Sequence, residues 1–340
     1  MYDSTMTEGL PFVSIIMPVR NESGYIERSL PRVLQQDYPD ERFEVIVADG
    51  CSSDRTPAIV ESFKAEHLNL RMITNHGKIA PTGLNAALAE ARGEIIIRID
   101  GHCEVEPDYV RQCVRHLQND GVDGVGGPLE TVGETPLAGA IAAAMSSAFG
   151  VGGAAFRTVK NQTMLTDTVA FPAYTRAIID LAGPFDEELV RNQDDEYNYR
   201  LRRLGAKILL AADVRARYYS RGTLSKLIQQ YFQYGYWKVR VLQKHPFQMS
   251  PRQFVPPAFV AALIISTALA LCSSLGFLLL GSIAGSYLAA NLAASVWTAR
   301  GSSWNYLPIL PFVYLSLHLS YGLGFLIGLL KFADRWGRPD

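Results

Sequence analysis

The chain has 340 residues, a formal net charge of −1 and 19% charged residues, against about 25% in an ordinary soluble domain. The shortfall is local, because residues 254–330 contain one charged side chain, Arg300, while the other 263 residues hold 64 of the 65 charges. This composition excludes a disordered chain, a disulfide-stapled scaffold and a wholly soluble enzyme. The near-neutral charge offers no footprint for nucleic acid, and the lack of a long apolar run before residue 254 excludes a polytopic transporter.

Apolar runs alternate with helical patterns along the first third of the chain. The runs typical of buried strands are 12–18, 43–49, 70–74, 94–100 and 122–126. Helical patterns follow from Ser23 to about Gln36, from Thr56, from Pro81 to Ala91 and from Pro107. Strands that alternate with helices predict an α/β fold with a mostly parallel sheet covered on both faces.

The later elements lead towards a membrane. Residues 131–168 are rich in Gly, Ala and Thr and are expected to form a mobile loop and a helix. A helix from about Asp194 to Leu204, a strand near 206–211 and an aromatic, basic helix over 225–244 follow. Residues 214–253 contain eight basic residues and no acidic one, which favours the cytoplasmic side and anionic headgroups. The N-terminus has no pattern of a signal peptide, so we expect a cytoplasmic catalytic domain.

The uncharged stretch 254–298 is long enough for two membrane spans, and a third is predicted from about Tyr306 to Leu330. Three spans would put the basic tail outside, whereas two would keep it inside, in better accord with the positive-inside tendency. Length favours three, and the pattern leaves two open. The expected domains are a catalytic domain (1–223), a juxtamembrane helix (224–253), a membrane region (254–331) and a tail (332–340).

Polar side chains follow three of the predicted strands. Asn21 and Glu22 follow the first strand, Asp49 the second, and Asp100 and His102 the fourth. Because ligands of open α/β sheets bind at the carboxyl ends of strands, we expect these groups to converge on one rim. A strand-end carboxylate such as Asp49 can bind a base or a ribose by charge-assisted hydrogen bonds.

Three further clusters allow both a structural and a chemical interpretation. Asp54 in DGCSSD is well explained as a helix cap. Asp100 and His102 point to one side of an extended segment and could hold a divalent cation, Mg²⁺ or, with an imidazole ligand, Mn²⁺, although a surface loop is as good an explanation. Asp194, in the acidic segment NQDDE at a predicted helix start, either complements the helix dipole or serves as a general base.

In order, the motifs VSIIMPVRNE, VIVADGCSSDRT, NHGKIAPTGLNAAL, IIIRIDGHC, GPFDEEL and NQDDEYNYRLRRLGAK resemble those of family 2 glycosyltransferases. The resemblance covers about residues 11–245 and is greatest to bacterial enzymes of succinoglycan and other exopolysaccharide assembly. It implies the GT-A fold, a Rossmann-like nucleotide-sugar-binding sheet, followed by C-terminal transmembrane helices. It also implies inverting transfer of a sugar, such as glucose from UDP-glucose, to a polyprenyl-diphosphate-linked glycan at the inner membrane, with membrane lipids and other polysaccharide-assembly proteins as partners.

The resemblance also implies residue roles. Asp194 is the expected general base, and Asp100 and His102 are the expected ligands of a divalent cation, Mg²⁺ or Mn²⁺. The residues assigned to the nucleotide sugar are Pro18, Arg20, Glu22, Asp49, Asp54, Lys78, Asn85 and Asp100. Those assigned to the acceptor or the diphosphate are Asp195, Arg200, Gln233 and Trp237.

The chain departs from the family pattern at two positions. His102 replaces the second aspartate of the D-x-D motif, which bears on metal preference, and Tyr236 replaces the arginine of Q-x-x-R-W, which argues against a processive synthase. A membrane-anchored nucleotide-sugar-binding protein without turnover and a processive polysaccharide synthase remain alternatives. A nucleotide-dependent oxidoreductase would need G-x-G-x-x-G after the first strand, where the chain has PVRNES.

Overall fold

The computed structural model describes residues 9–220 and 222–337 of the chain. Two compact units are formed. The first comprises Met1–Glu130 and Ala155–Tyr218, and the second comprises Thr131–Ala154 and Tyr219–Asp340. The predicted domain boundaries stay a prediction, and this division assigns residues 131–154 to the unit that contains the apolar C-terminal helices.

The strands, in chain order, are β1 (Val13–Val19), β2 (Phe43–Asp49), β3 (Leu70–Thr74), β4 (Ile95–Arg98), β5 (Cys103–Val105), β6 (Gly124–Gly127), β7 (Leu129–Val132), β8 (Met164–Leu165), β9 (Ala170–Thr175), β10 (Ile208–Leu210) and β11 (Ala216–Tyr219). The helices are α1 (Ile26–Leu34), α2 (Thr56–Lys64), α3 (Ala80–Glu90), α4 (Tyr109–Asn119), α5 (Pro136–Met145), α6 (Ala148–Val151), α7 (Ala155–Thr158), α8 (Arg176–Ala182), α9 (Gln193–Arg203), α10 (Leu224–Lys244), α11 (Val255–Ala270), α12 (Ser274–Gly301) and α13 (Leu310–Lys331).

The main sheet has the order β3-β2-β1-β4-β9-β6-β10-β8. Strands β3, β2, β1 and β4 are mutually parallel, whereas β9 runs antiparallel between β4 and β6. Strand β2 is buried along its whole length and β1 at every residue but Pro18, because helices cover both faces, and this explains their nearly continuous apolar sequence. The predicted mostly parallel α/β sheet is therefore confirmed.

Strand register places the carboxyl ends of three strands together. Asp49 lies opposite Val19 on one side and Thr74 on the other, and Ile16 lies opposite Arg98. Since the chain leaves β1 for β2 on one side and β4 lies on the other, this edge is the point at which strand order reverses. Ligands of open α/β sheets bind at such a point.

In the second unit, α10 precedes three segments that are long and apolar enough to cross a bilayer. These segments of the described chain are Pro251–Ala270, Ser274–Gly301 and Leu310–Lys331. They correspond to the apolar stretches recognised in the sequence, so the expected C-terminal membrane helices are confirmed. Residues 131–168, expected to be a loop and one helix, instead contain two short strands and three helices.

Candidate active site

The loops after β1 and β2 interlock through short polar side chains. The Asn21 backbone N–H donates to Ser52 Oγ at 2.9 Å, and the Ser53 backbone N–H donates to Asn21 Oδ1 at 2.9 Å. Asn21 and Cys51 have φ angles of 54° and 52°, in the left-handed region. Two loops bent in this way form one rim at the end of the sheet.

Asp49, the last residue of β2, is buried and only partly satisfied. Its Oδ2 accepts a hydrogen bond from the Ser52 backbone N–H at 3.0 Å. Its Oδ1 has no hydrogen-bond partner among the described residues, although it is buried. A buried acceptor without a protein donor costs free energy, so this oxygen is available to a donor from a ligand or a water.

Asp54 shapes the same rim. Its two carboxylate oxygens accept hydrogen bonds from the Ser23 and Thr56 backbone N–H groups at 3.0 and 2.9 Å. Burial raises the pKa of Asp54, but the bonds from Thr56 and Ser23 lower it by more, so the pKa lies well below its usual value. The carboxylate thus joins the loop after β1 to the start of α2. Its predicted contact with the nucleotide sugar stays a prediction.

The other residues assigned to the nucleotide sugar are held in different ways. Pro18 lies within β1, and Arg20 Nη1 donates to the Lys78 carbonyl oxygen at 3.2 Å. Lys78 has a φ angle of 62° and an exposed side chain. The Asn85 amide exchanges hydrogen bonds with the backbone of Phe185 at 2.8 and 2.9 Å. Asn85 therefore ties α3 to a distant loop.

Glu22 and His102 form a pair across the rim. Glu22 Oε1 lies 3.0 Å from His102 Nδ1, and the Tyr218 ring stands edge-on to the imidazole with centroids 5.2 Å apart. Burial lowers the pKa of His102, but the hydrogen bond with Glu22 and the charges of Tyr218, Glu22 and Asp100 together raise it by more, to about 9. With this pKa the ring is protonated at neutral pH, so Nε2 can bind a cation only after it gives up its proton, while Glu22 holds the ring through Nδ1.

Arg98 is a site residue that the sequence analysis missed. Its guanidinium donates from Nε and Nη2 to Asp100 Oδ1 at 3.2 and 3.1 Å. Burial raises the pKa of Asp100, and Arg98 lowers it by more; burial lowers the pKa of Arg98, and the charges of Asp100 and then Asp194 raise it by more. The signal for Arg98 was a charged residue inside the apolar strand sequence EIIIRID.

The acidic start of α9 separates into different roles. Asp194 is exposed, and its Oδ1 accepts a hydrogen bond from the Asp195 backbone N–H at 2.9 Å. Glu196 is buried and binds Arg200 through both oxygens, at 3.0 and 3.1 Å. Arg200 also donates to the carbonyl oxygens of residues 182 and 184. Its donors are thus used within the fold, and its assignment to a diphosphate stays a prediction.

Gln233 and Trp237, assigned to the acceptor, belong to the second unit. Both are half-buried on α10. The Trp237 ring lies 5.7 Å from the Phe332 ring, in an aromatic cluster between α10 and the end of α13. Packing within the second unit, which carries the apolar C-terminal helices and is called the membrane unit below, accounts for Trp237. An acceptor contact for either residue stays a prediction.

Asp100 and His102 can provide two protein ligands to a divalent cation. Within residues 9–220 and 222–337, no group of three or more His, Cys, Asp or Glu side chains could hold a metal. The Asp100 carboxylate is ionised, the His102 imidazole has to release its Nε2 proton before it binds a cation, and an imidazole ligand suits Mn²⁺ better than Mg²⁺. A bound diphosphate would supply the remaining oxygen ligands, as substrate phosphates do in other cation sites. The residues present therefore fit a cation that binds together with a phosphorylated donor.

Comparison with known proteins identifies relatives of this chain. Residues 14–178 match the model of glycosyl transferase family 2. The chain is 30% identical over 330 residues to succinoglycan biosynthesis protein ExoA of Rhizobium meliloti (strain 1021), covering 94% of this chain and 96% of the relative. It is 28% identical over 246 residues to the dolichyl N-acetyl-alpha-D-glucosaminyl phosphate 3-beta-D-2,3-diacetamido-2,3-dideoxy-beta-D-glucuronosyltransferase of Methanococcus voltae, covering 70% and 76%.

Solved structures share the fold. The mannosyltransferase PcManGT from Pyrobaculum calidifontis, in complex with GDP-Man and Mn²⁺, has a TM-score of 0.58 at 22% identity and covers 90% of this chain and 87% of its own. S. aureus TarS 1–349 in complex with UDP-GlcNAc has a TM-score of 0.52 at 17% identity and covers 97% and 94%. At these identities the likeness concerns the fold, which agrees with the GT-A architecture expected from the sequence.

Proposed function

This chain belongs to glycosyltransferase family 2, and we propose that it transfers a hexose from a UDP-sugar to a lipid-linked glycan with inversion at the anomeric carbon. The products would be a lengthened glycan and UDP. UDP-glucose is the donor that the sequence resemblance favours. A polyprenyl diphosphate is the proposed carrier of the acceptor, and the inner membrane the proposed location.

The observation that carries the proposal is the buried Arg98 guanidinium, which donates to Asp100 Oδ1 at 3.1 Å and is also within electrostatic reach of Asp194. Both carboxylates raise the pKa of the buried Arg98 guanidinium, although they are 94 residues apart in sequence. A residue just after β4 and a residue at the start of α9 thus act on the same guanidinium group. This arrangement supports a donor diphosphate beside Asp100 and an acceptor hydroxyl beside Asp194.

The bare oxygen of Asp49 supports uracil as the base. Asp49 Oδ1 is a buried acceptor without a donor among the described residues, whereas Oδ2 is already engaged by Ser52. Uracil offers one N–H donor, at N3, while guanine offers donors at both N1 and N2. A single bare acceptor therefore suits uracil better, since guanine would need two.

In the proposed reaction Asp194 acts as the general base. The acceptor hydroxyl oxygen forms a bond to the anomeric carbon while the bond from that carbon to the diphosphate oxygen breaks. The hydroxyl proton passes to the Asp194 carboxylate, and UDP leaves with the electron pair of the broken bond. Attack opposite the leaving group inverts the configuration. Asp194 suits this role because it is exposed, so an acceptor can reach it.

Asp100 and His102 would hold a divalent cation, with Mn²⁺ preferred because of the imidazole. When bound, such a cation neutralises negative charge on the departing diphosphate. Arg98 keeps the Asp100 carboxylate ionised and directed, and Glu22 orients the His102 ring through Nδ1. These two residues are therefore positioning residues for the two ligands.

The membrane unit supports a lipid-linked acceptor. The chain carries apolar helices of spanning length, and the Methanococcus voltae relative is named for action on a dolichyl-linked sugar phosphate. The Rhizobium meliloti relative is named for succinoglycan biosynthesis. An enzyme held at a membrane meets a lipid-carried glycan without a search through the cytoplasm.

The proposal is tested by supplying a panel of nucleotide sugars to membranes that contain the full chain and lipid-linked acceptors. We expect one UDP-hexose to be consumed with a matching mass increase of the lipid-linked product. A matched Asp100→Ala variant should lose Mn²⁺-dependent donor binding, measured by titration. Transfer from GDP-sugars alone, or an unchanged Mn²⁺ titration in that variant, would refute the corresponding assignment.

A nucleotide-sugar-binding protein without turnover is the alternative that the sequence leaves open. It predicts that donor binds but is never consumed when acceptor is present. A processive synthase predicts a ladder of product masses, whereas a single-transfer enzyme yields one added sugar. The same mass measurement therefore separates the three functions.

A further inference from the structure

Helices α11 and α12 form an antiparallel hairpin. They are joined by the short turn at residues 271–273, and a Cβ atom added to Gly276 would clash with Ala270 on the opposite side of the turn. Leu271 and Leu275 at this turn are exposed. Helix α11 has 16 residues and α12 has 28, so the start of α11 lies beside the later half of α12 at the other end of the hairpin, here called its base.

Helix α13 contacts both arms of the hairpin at this base. Near its own start, the Pro311 carbonyl oxygen accepts a hydrogen bond from Asn291 Nδ2 at 3.0 Å, and Tyr314 OH lies 2.7 Å from Thr298 Oγ1, both in the later half of α12. Near its own end, the Phe325 ring lies 5.9 Å from the Phe254 ring, which immediately precedes α11.

A further contact indicates the same orientation of α13 relative to α11. A Cβ atom added to Gly322 would lie 2.6 Å from Val260 Cγ2, in the second turn of α11. A third span that followed α12 would run parallel to α11, so its later half would face the end of α11. The later half of α13 faces the start of α11 instead.

The packing of the end of α13 against α10 indicates where this end lies in the bilayer. Gly328 lies so close to α10 that an added Cβ atom would stand 2.7 Å from the Tyr236 carbonyl oxygen, and Gln243 Nε2 donates to the Phe332 carbonyl oxygen at 2.7 Å. The basic residues of α10 are Lys226, Lys238, Arg240 and Lys244. Charged side chains are costly inside the hydrocarbon core, so α10 and the helix end packed along it belong at the interface.

Helix α13 also has an exposed face that is mostly apolar. The exposed residues, spaced to fall on one side of a helix, are Phe312, Leu315, Leu323, Ile327 and Leu330. The opposite face is buried within the membrane unit. A helix buried on one side and apolar on the other can lie along the interface with its free face towards the acyl chains.

We propose that α13 lies across the base of the α11–α12 hairpin, in the interfacial zone of the bilayer, and is not a third span. The chain then crosses the membrane twice, and residues 332–337 return to the side occupied by α10. The partner of the exposed apolar face of α13 is the lipid bilayer itself. Two spans also keep Lys331 and Arg335 on the side of the basic helix α10, in accord with the positive-inside tendency. This inference does not rest on the proposed sugar transfer.

The test is thiol labelling of the full chain in membrane vesicles of both orientations, with a membrane-impermeant maleimide. Three positions serve as probes: native Cys272 at the hairpin turn, Phe247→Cys between α10 and α11, and Trp336→Cys in the tail, each exposed in the structure. The engineered thiols are placed in a Cys51→Ser, Cys272→Ser background, and Cys272 is probed in Cys51→Ser alone. Cys103 and Cys113 remain, because burial raises the pKa of both thiols well above the usual value and keeps them unreactive.

We expect Trp336→Cys and Phe247→Cys to be labelled from the same face and Cys272 from the opposite face. Labelling of Trp336→Cys from the face that labels Cys272 would overturn the proposal. The double background without an engineered thiol is the blank, and each probe should label fully after detergent solubilisation.

A second measurement avoids cysteine substitutions. A fluorescent protein that matures only in the cytoplasm is fused to the N-terminus or to the C-terminus of the wild-type chain. An even number of spans makes both fusions fluorescent or both dark. Fluorescence from one fusion alone indicates an odd number of spans and contradicts the proposal.

Discussion

Strand β2 carries two buried carboxylates, one near each end of the strand. Glu44, at the amino edge, accepts hydrogen bonds from Ser14 Oγ at 2.8 Å, from the Arg92 backbone N–H at 2.9 Å and from Arg71 Nη2 at 3.0 Å. Asp49, five residues later at the carboxyl edge, has one engaged oxygen and one bare oxygen in the described part of the chain.

The difference separates a folding role from a binding role. Glu44 is saturated by groups of its own chain, so its charge stabilises the native state and offers nothing to a ligand. Asp49 leaves an acceptor buried and unsatisfied, which destabilises the fold until a donor arrives. Functional sites commonly carry such a cost, because a group satisfied within the fold is unavailable for binding.

Asp194 represents a third kind of acid, exposed and proposed as the base, and its replacement has the largest expected effect. Asp194→Asn keeps the shape but cannot take the acceptor proton, so kcat should fall by about 10² to 10⁴ while donor affinity stays unchanged. Single-turnover transfer and donor titration measure the two quantities. The matched control is Asp180→Asn, another exposed acid, on α8, which should transfer at the wild-type rate. Wild-type kcat in Asp194→Asn would refute the role.

Glu44→Gln should act on folding alone. The neutral amide weakens the charge-assisted bonds from Arg92 and Arg71, so the free energy of unfolding should drop by about 2 kcal/mol. Denaturant or thermal unfolding of the detergent-solubilised chain measures this drop, and titration with UDP should give the wild-type Kd. A large change of the UDP Kd at unchanged stability would contradict the separation of the two edges.

Glu44 also predicts a pH dependence. Burial raises the pKa of Glu44, but the hydrogen bonds from Arg92, Ser14 and Arg71 lower it by more, so the folded pKa lies below the ordinary value of 4.5. Stability from this group is therefore full above pH 4.5 and is lost as the pH falls through the folded pKa. Unfolding free energies measured across this range should fall more steeply in the wild type than in Glu44→Gln. Parallel curves of unfolding free energy against pH for the two proteins would show that Glu44 does not contribute to the loss of stability at acid pH.

The rim was predictable from the sequence because it depends on strand ends. Alternating strands and helices place Asp49 and Asp100 at one edge whatever their neighbours are, and the structure gives this edge. The contact partners of the rim residues were not predictable from the sequence, since they depend on packing between distant segments. Glu22 meets His102 across 80 residues, and Asn85 meets Phe185 across 100. Arg98 was overlooked because a single charge in an apolar strand carries no periodic signal.

Asp49→Asn should weaken UDP binding without lowering the stability of the fold. The amide loses the charge and has one oxygen for two donors, the Ser52 backbone N–H and the uracil N3–H, so UDP affinity should fall by about tenfold, in line with a charge-assisted hydrogen bond. The free energy of unfolding should not fall, because a buried ionised group without a full set of donors is replaced by a neutral one. UDP titration and unfolding of the same preparation test both signs. A fall of stability like that of Glu44→Gln would remove the contrast between the two edges of β2.

Asp54→Asn has the smallest expected effect and decides between two roles for one residue. The Asp54 carboxylate accepts from the Ser23 and Thr56 backbone N–H groups, and an asparagine has one oxygen for these two donors. Loss of one such hydrogen bond to a backbone N–H at a helix start costs about 0.5 to 1 kcal/mol of unfolding free energy. We expect that loss in denaturant unfolding, with UDP affinity close to that of the wild type.

The alternative is that Asp54 contacts the donor, as the family resemblance implies. A tenfold loss of UDP affinity in Asp54→Asn, equal to the loss expected for Asp49→Asn, would favour that contact over capping. Ser52→Ala is a suitable companion variant, since Ser52 Oγ accepts from the Asn21 backbone N–H on the same rim and its loss loosens the loops without removing a charge. If loosening alone weakened UDP binding, Ser52→Ala would reproduce the effect. If Ser52→Ala retained wild-type affinity while Asp54→Asn lost it, the Asp54 charge itself would belong to the binding site, as we propose for the unsatisfied oxygen of Asp49.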